Sequence, residues 1–340
     1  MRRILWAALL STVSATGAWA QDAKPASDVT IAAQRNVAAQ LPVEDGRDFD
    51  FADRGFIGTL SDPVITNKDG KPVWNLGAYD WMTDGKSPDT VNPSLWRHMG
   101  LLRKHGLYAL ADNIWQVRGF DVSNMTIIKG QTGWIIIDPL TSRDTAAAAL
   151  KLVNEKLGAR PVTAVVYSHS HGDHFGGVRG IINEADVKAG KVAIIAPEHF
   201  LAETASENVM AGPAMSRRAT FQFGTNLTPG PQGTMGSGIG RGIGGGDITL
   251  IPPTIDIRKT GELREVDGVT LEFQMVPQSE APAEMNVYMP ASRTFLAAEI
   301  ATCTLHNILT PRGAKVRDTL SWSGFLNEAV NLYGDRSDII

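Results

Sequence analysis

Residues 167–177 read YSHSHGDHFGG and hold three of the seven histidines in a chain of 340 residues. Just before them, VTAVVYSH is a short, apolar, β-branched run that suits a buried strand. FGGVRGIINEADV follows with helical character. A strand, a polar turn and a helix in that order form one unit of a layered α/β domain, and such folds gather ligands at the C-terminal ends of their strands. His169 and His171 stand two residues apart and can point to one side, toward one ion. Asp173 and His174 are adjacent on the turn and diverge toward a second ion. Imidazole and carboxylate suit zinc, and without thiolates the centre reads as hydrolytic rather than structural. Gly172 is expected to tighten the turn between ligands, and Gly176 and Gly177 to let the following helix approach the metals.

Outward from this stretch, the same layered pattern continues. MTIIKGQTGWIIIDPL gives two β-rich runs around a glycine-containing turn, a hairpin. TSRDTAAAALKLVNEKLGA reads as a helix, with Thr141 and Asp144 as a capping box, Leu150, Val153 and Leu157 on one face and Gly158 as its stop. KVAIIAP is another buried strand. Further strands are expected at ITLIPP, at VTLEFQMV with Val269, Leu271, Phe273 and Met275 on one face, at NVYMP and at RTFLAAE. Residues 210–246 are rich in glycine and read as a long loop acting as a lid, since structureless loops of this length are usually functional or disordered. Met210, Met215, Phe221, Phe223 and Met235 are its apolar contacts. GIGRGIGGG lacks the lysine-serine ending and strand context of a phosphate cradle.

Composition narrows the function. The chain is 43% hydrophobic and 20% charged, with a net charge of −4. This fits a globular protein and not a nucleic-acid binder, which needs a basic footprint. MRRILWAALLSTVSATGAWA (residues 1–20) has the basic start, apolar middle and A-x-A end of a secretory signal, so export to the periplasm is expected, with no stable membrane anchor. Cys303 is the single cysteine and reads as a small buried apolar group. His98, His105 and His199 match no ligand motif. Residues 21–110, aromatic and punctuated by Pro, Gly and Asp, are expected to wrap the domain.

Two metal ions need ligands downstream, at strand ends on the same side. Glu280 in PQSEAPAEMN lies just beyond VTLEFQMV. Glu299 lies inside the apolar run TFLAAEIA, where an unpaired carboxylate is costly and a metal would neutralise it. The H-x-H-x-D-H cluster after a buried strand resembles that of the metallo-β-lactamase superfamily. SEAPAE and AAE, glutamates in place of its usual histidine and aspartate, are similar to the alkyl sulfatase branch that hydrolyses dodecyl sulfate. RGFDVSNMTIIKGQTGWIIIDPLTS, the glycine-rich stretch and NILTPRGAKVRD extend the resemblance over nearly the whole chain after the signal.

The resemblance implies an αββα sandwich in residues 111–317 and two Zn2+ per chain. It implies that His169, His171 and Glu280 hold one zinc, that Asp173 and His174 belong to the other, and that Glu299 bridges or supports both, with Asp173 and Glu299 catalytic. It assigns sulfate binding to Asn307, Ile308, Leu309, Thr310, Pro311, Arg312 and Arg317. Guanidinium independently suits an anionic ester. The implied activity is hydrolysis of a small-molecule alkyl sulfate ester to alcohol and sulfate by a metal-activated hydroxide, attack at sulfur or at carbon both remaining open. The family's further histidine for the second zinc, its helical dimerisation region and its lipid-carrier-like domain lie past the point where this chain stops at Ile340, so the resemblance implies either a fragment or a shortened relative. Residues 318–340 would then begin that helical region, and the homodimer of the family is not assigned to this chain. Another hydrolase of the superfamily (a lactonase, phosphodiesterase or β-lactamase) and a non-catalytic metal-binding relative are the alternative readings.

Overall fold

The computed structural model describes residues 24–42, 45–83, 85–302 and 308–340. The readings of the signal peptide, Cys303 and Asn307 lie outside the described residues. Among those described, no helix is long and apolar enough to cross a membrane.

The N-terminal part carries helices α1 (Asp28–Ala38), α2 (Arg47–Asp53) and α3 (Pro93–Leu102) and strands β1 (Phe56–Gly58), β2 (Val64–Thr66), β3 (Pro72–Asn75) and β4 (Gly106–Ala111). Strands β5 (Ile114–Arg118), β6 (Met125–Lys129), β7 (Trp134–Ile137), β8 (Val162–Val166), β9 (Ala193–Pro197) and β10 (Ile255–Ile257) follow. They build an eight-stranded sheet in the order β1-β4-β5-β6-β7-β8-β9-β10, antiparallel up to β7 and parallel from there on. Parallel neighbours need crossovers. Helix α4 (Arg143–Leu157) joins β7 to β8, and two 3-10 turns with α5 (Glu184–Lys188) join β8 to β9. The second sheet is an antiparallel meander of β11 (Glu262–Val266), β12 (Val269–Met275), β13 (Met285–Met289) and β14 (Thr294–Leu296).

The period of two in the central strands explains why the sheets stack. Along β7, Trp134 and Ile136 face the core under α4, while Ile135 and Ile137 face the second sheet. Along β8, Val165 goes one way and its neighbours Ala164 and Val166 the other. Leu271, Phe273, Met285, Val287 and Met289 meet the inner set from the second sheet. Ala146, Ala149, Leu152 and Val153 of α4 cover the outer face of the first. Helix α8 (Thr319–Tyr333) covers the outer face of the second through Trp322, Phe325, Ala329 and Tyr333, which pack on Val276, Tyr288 and Phe295. The layers are therefore helix, sheet, sheet, helix: the αββα sandwich.

Several local expectations are corrected. Residues 318–340, expected to begin a helical region, also pack on the second sheet, with Ile339 bridging to Thr294 and Asp338 paired to Arg293. The edge expected between residues 110 and 111 cuts through β4, and β1 and β4 belong to the main sheet rather than wrapping it. ITLIPP is not a strand; Thr249 donates both its N–H and its hydroxyl to Gly176 O, and two prolines follow, so pairing resumes only at β10. Ser142, not Thr141, caps α4, because the Thr141 hydroxyl is bound to Asp121.

The stretch 210–246 holds helix α7 (Gly212–Phe223), preceded by α6 (Phe200–Thr204) and a π-helical turn, Ala205–Met210. Its glycine-rich end is pinned. Arg241 is buried, donates to the backbone oxygens of Gly119, Asn75 and Leu76, and lies over the rings of Trp74 and Tyr79. Gly244 N donates to Asp121 and Gly245 N to Val73 O, so these amides are already spent. Met235 is core, packed with Tyr79, Trp96 and Met99.

Candidate metal centre

Strand β8 delivers the ligand turn, and the second sheet holds it. Ser170 N donates to Ala283 O at 3.1 Å, Met285 N donates to Ser168 O at 2.9 Å, and His169 bridges Glu284. The turn is thus an extra strand-like rung against the start of β13. Asp138, at the end of β7, adopts a left-handed φ of 56°. Its carboxylate accepts from Ser168 N, Ser168 Oγ and His174 Nδ1 at 2.7, 2.6 and 2.8 Å. The strain of that conformation, about 1–3 kcal/mol, is offset by these three bonds.

Each imidazole spends one nitrogen on the protein side and turns the other inward. His169 Nδ1 lies 3.0 Å from Ser168 Oγ, His174 Nδ1 reaches Asp138, and His171 Nε2 faces Glu207 at 3.3 Å. Inward, His171 Nδ1 is 3.1 Å from His169 Nε2 and 2.9 Å from Glu280 Oε2. His169 Nε2 is 3.6 Å from that same oxygen and 3.8 Å from Glu299 Oε2. His174 Nε2 stands 3.2 Å from Asp173 Oδ2 and 3.3 Å from Glu299 Oε1. Two groups result, His169-His171-Glu280-Glu299 and Asp173-His174-Glu299, with Glu299 common to both.

Burial makes this cluster costly without a cation. His169 is pushed down to about 4 by burial and by the two neighbouring imidazoles. Burial opposes protonation of His171 too, yet Glu280 and Glu207 lift it to about 10. His174 is likewise raised, against burial, by Asp173, Asp138 and Glu299. Against its own burial, Glu280 is held low, chiefly by His171, while burial and Glu280 push Glu284 up. These carboxylates draw protons onto imidazoles where a divalent ion would serve both. Nitrogen and oxygen donors converging in a largely buried cluster fit zinc.

The structure also places residues that sequence reasoning missed. Glu284, fully buried, accepts from Ser279 Oγ, Glu280 N, Ala281 N and Glu299 N, so it fixes both glutamate-bearing loops. Asp121 gathers Thr141, Thr145, Val122 and Gly244, and Ser123 Oγ donates to Asp173 O at 2.6 Å. Asp138 carried a readable signal, an acid ending the apolar run WIII. Glu207, in ASENVM, carried none.

The other expected residues are less uniform. Arg317 is buried and donates through Nε and Nη2 to the backbone and carboxylate oxygens of Glu280, so it holds a candidate ligand carboxylate and leaves only Nη1 for any other anion. Thr310 is buried and its hydroxyl accepts from Ala314 N, whereas Ile308, Leu309 and Pro311 are exposed. Arg312 N donates to Gln222 Oε1 at 2.7 Å, and its guanidinium has no hydrogen bond or ion pair among the described residues. His98 and His105 bind Gly238 O and Thr59, and His199 begins α6, all apart from the centre. Gly176 and Gly177 are needed for packing against the chain. A Cβ there would stand 2.0 Å from Thr141 O or Pro139 O, so they let the turn pack on the chain entering α4. Gly172 has no such constraint, with Asn208 Oδ1 at 3.7 Å as its one near contact.

The model of the metallo-beta-lactamase superfamily matches residues 118–339. The chain is 50% identical over 317 residues to a linear primary-alkylsulfatase of Pseudomonas sp, covering 93% of this chain and 47% of that protein. It is 45% identical over 343 residues to an (R)-specific secondary-alkylsulfatase of Pseudomonas sp, covering 100% and 52%. The solved structure of the inverting sec-alkylsulfatase Pisa1 from Pseudomonas sp. superposes with a TM-score of 0.91 at 46% identity, over 94% of this chain and 50% of that one. The chain spans about half the length of the curated relatives it matches.

Proposed function

This chain belongs to the metallo-β-lactamase superfamily, and from that premise we propose that it hydrolyses alkyl sulfate esters of the dodecyl sulfate kind to alcohol and inorganic sulfate. The observation that carries the reading is the shared carboxylate. Glu299 turns one oxygen to each of two ligand groups, and Glu280 completes the group that holds two histidines. His169, His171 and Glu280 would hold one zinc, Asp173 and His174 the other, and Glu299 both.

Zinc, when bound, supplies a water whose pKa falls to about 7, the nucleophile of the hydrolysis. The residues do the rest. Asp173 and Glu299 are the open members of the cluster, with side chains 23% and 25% exposed against 10% or less for His169, His171, His174 and Glu280. They line the side from which ester and water arrive. Arg312 holds the sulfate charge, because its guanidinium makes no hydrogen bond or ion pair among the described residues and can match a planar pair of ester oxygens. Ile308 and Leu309, with Phe221 on α7, are exposed and apolar, and the Arg312–Gln222 bond joins their two segments. Together they offer the alkyl chain a surface.

The test is sulfate release from dodecyl sulfate by the purified protein, zinc-loaded and chelated. Zinc-dependent release is expected, and its loss in H169A. A zinc-loaded protein that leaves dodecyl sulfate intact but opens a lactone, phosphodiester or β-lactam would overturn the substrate class. Export to the periplasm, proposed from residues 1–20, is checked by fractionating cells that express the full chain.

A further inference from the structure

Behind the ligand turn lies a segment to which the hydrolytic reading gives no task. Ala205–Met210 winds as a π-helix between α6 and α7, and such wide turns occur frequently at functional sites. Two consecutive side chains reach from it to the ligand turn. Asn208 Nδ2 donates to Ser170 O at 3.3 Å and to Thr204 O at 3.1 Å. Glu207 is 3% exposed, and its Oε1 accepts Lys315 N at 3.2 Å. Its Oε2 is buried without a hydrogen bond and stands 3.3 Å from His171 Nε2.

We propose that Glu207 is a positioning residue: it takes the Nε2–H of His171, so that Nδ1 is the lone-pair nitrogen offered to the metal, and through Lys315 it ties that ligand to residues 308–317. A neutral imidazole carries its one proton on either nitrogen, and with the proton on Nδ1 His171 is no ligand. An acceptor at Nε2 removes that choice, fixes the ring and makes the other nitrogen more basic. Glu207 supplies the acceptor from a buried position, its Oε2 standing 3.3 Å from Nε2. The same π-helix leads into α7, whose Gln222 holds Arg312 N. The segment assigned to the sulfate is therefore gripped at two points from one side, and one grip is shared with a metal ligand.

The inference rests on the metal-centre part of the proposed function and not on the substrate. Glu207→Ala and Glu207→Gln are compared with the parent by chelator-competition titration of zinc and by the visible spectrum of the cobalt form. In E207A one of the two ions is expected to bind about 10–100-fold more weakly, the other unchanged, with activity restored by excess zinc. E207Q, which keeps an acceptor oxygen but no charge, is expected to lose less. Hydrogen exchange at the Lys315 amide should be faster in E207A than in the parent. A folded E207A with parental affinity for both ions overturns the proposal; if E207A does not fold, parental affinity in E207Q does. A parent that binds zinc but cleaves no sulfate ester refutes the substrate reading alone, whereas a parent that binds no metal refutes both.

Discussion

Glu280 is 2% exposed and its carboxylate lies between His171 and Arg317, so an imidazole and a guanidinium hold it in place before any ion arrives. Removing one partner of a buried pair leaves an uncompensated charge and costs about 3–5 kcal/mol. Arg317→Ala should therefore lower the stability of the metal-free protein by roughly that much, and by clearly less once zinc is loaded, because the ion then neutralises Glu280. Urea unfolding of both forms checks this; an equal loss with and without zinc would mean that Glu280 faces no metal. At this scale the sequence was read by residue type. The candidate metal ligands are legible by type because three histidines crowd one turn. The residues that orient them are not, because Glu207 and Glu284 meet the cluster from segments whose own sequence has no period, and only folding brings them there.

The ligand turn owes its shape to neighbouring elements rather than to its own glycines. Gly177 packs its α-carbon against Pro139 O and the Ala146 side chain, and a methyl group there would come within 2.0 and 2.6 Å of them. Gly177→Ala should cost about 1–3 kcal/mol, as overpacking does, and weaken zinc binding by shifting His174. Gly172→Ala, with open space, should stay within about 0.5 kcal/mol of the parent. Chemical denaturation of the two variants separates them, and a costly G172A would refute the account. Elements with a clean period were legible: β7, β8, β12 and α4 follow from alternation or a 3.6-residue stripe. Helix α7 was hidden because glycine and proline at its start look like loop. Its Phe221 is 90% exposed, beside Phe223. Replacing both with alanine should raise KM for long-chain sulfate esters more than for short ones, and equal changes across chain lengths would remove α7 from the alkyl path.

Across the whole molecule, two sheets bring acids from the second to the histidines of the first, and the buried charge makes metal binding a matter of protons. Metal-free, His171 is raised to about 10 from an ordinary 6.5 by Glu280 and Glu207, against burial. That attraction contributes stability in full below the ordinary value and is lost as the pH rises through about 10. Glu280, held low, contributes above the ordinary carboxylate range and loses its contribution in acid. Zinc needs the imidazoles deprotonated, so it must displace the protons on His171 and His174, while His169, pushed down to about 4, is already neutral. The metal-free protein should therefore lose stability toward alkaline pH, and the gain in Tm on adding zinc should grow between about pH 6 and pH 9. Calorimetry in buffers of different ionisation enthalpy should show about one to two protons released per chain on zinc uptake near neutral pH. A zinc-induced gain in Tm that is flat across that range would mean the imidazoles are neutral before the metal arrives, and the carboxylates would then have to be balanced by some other group.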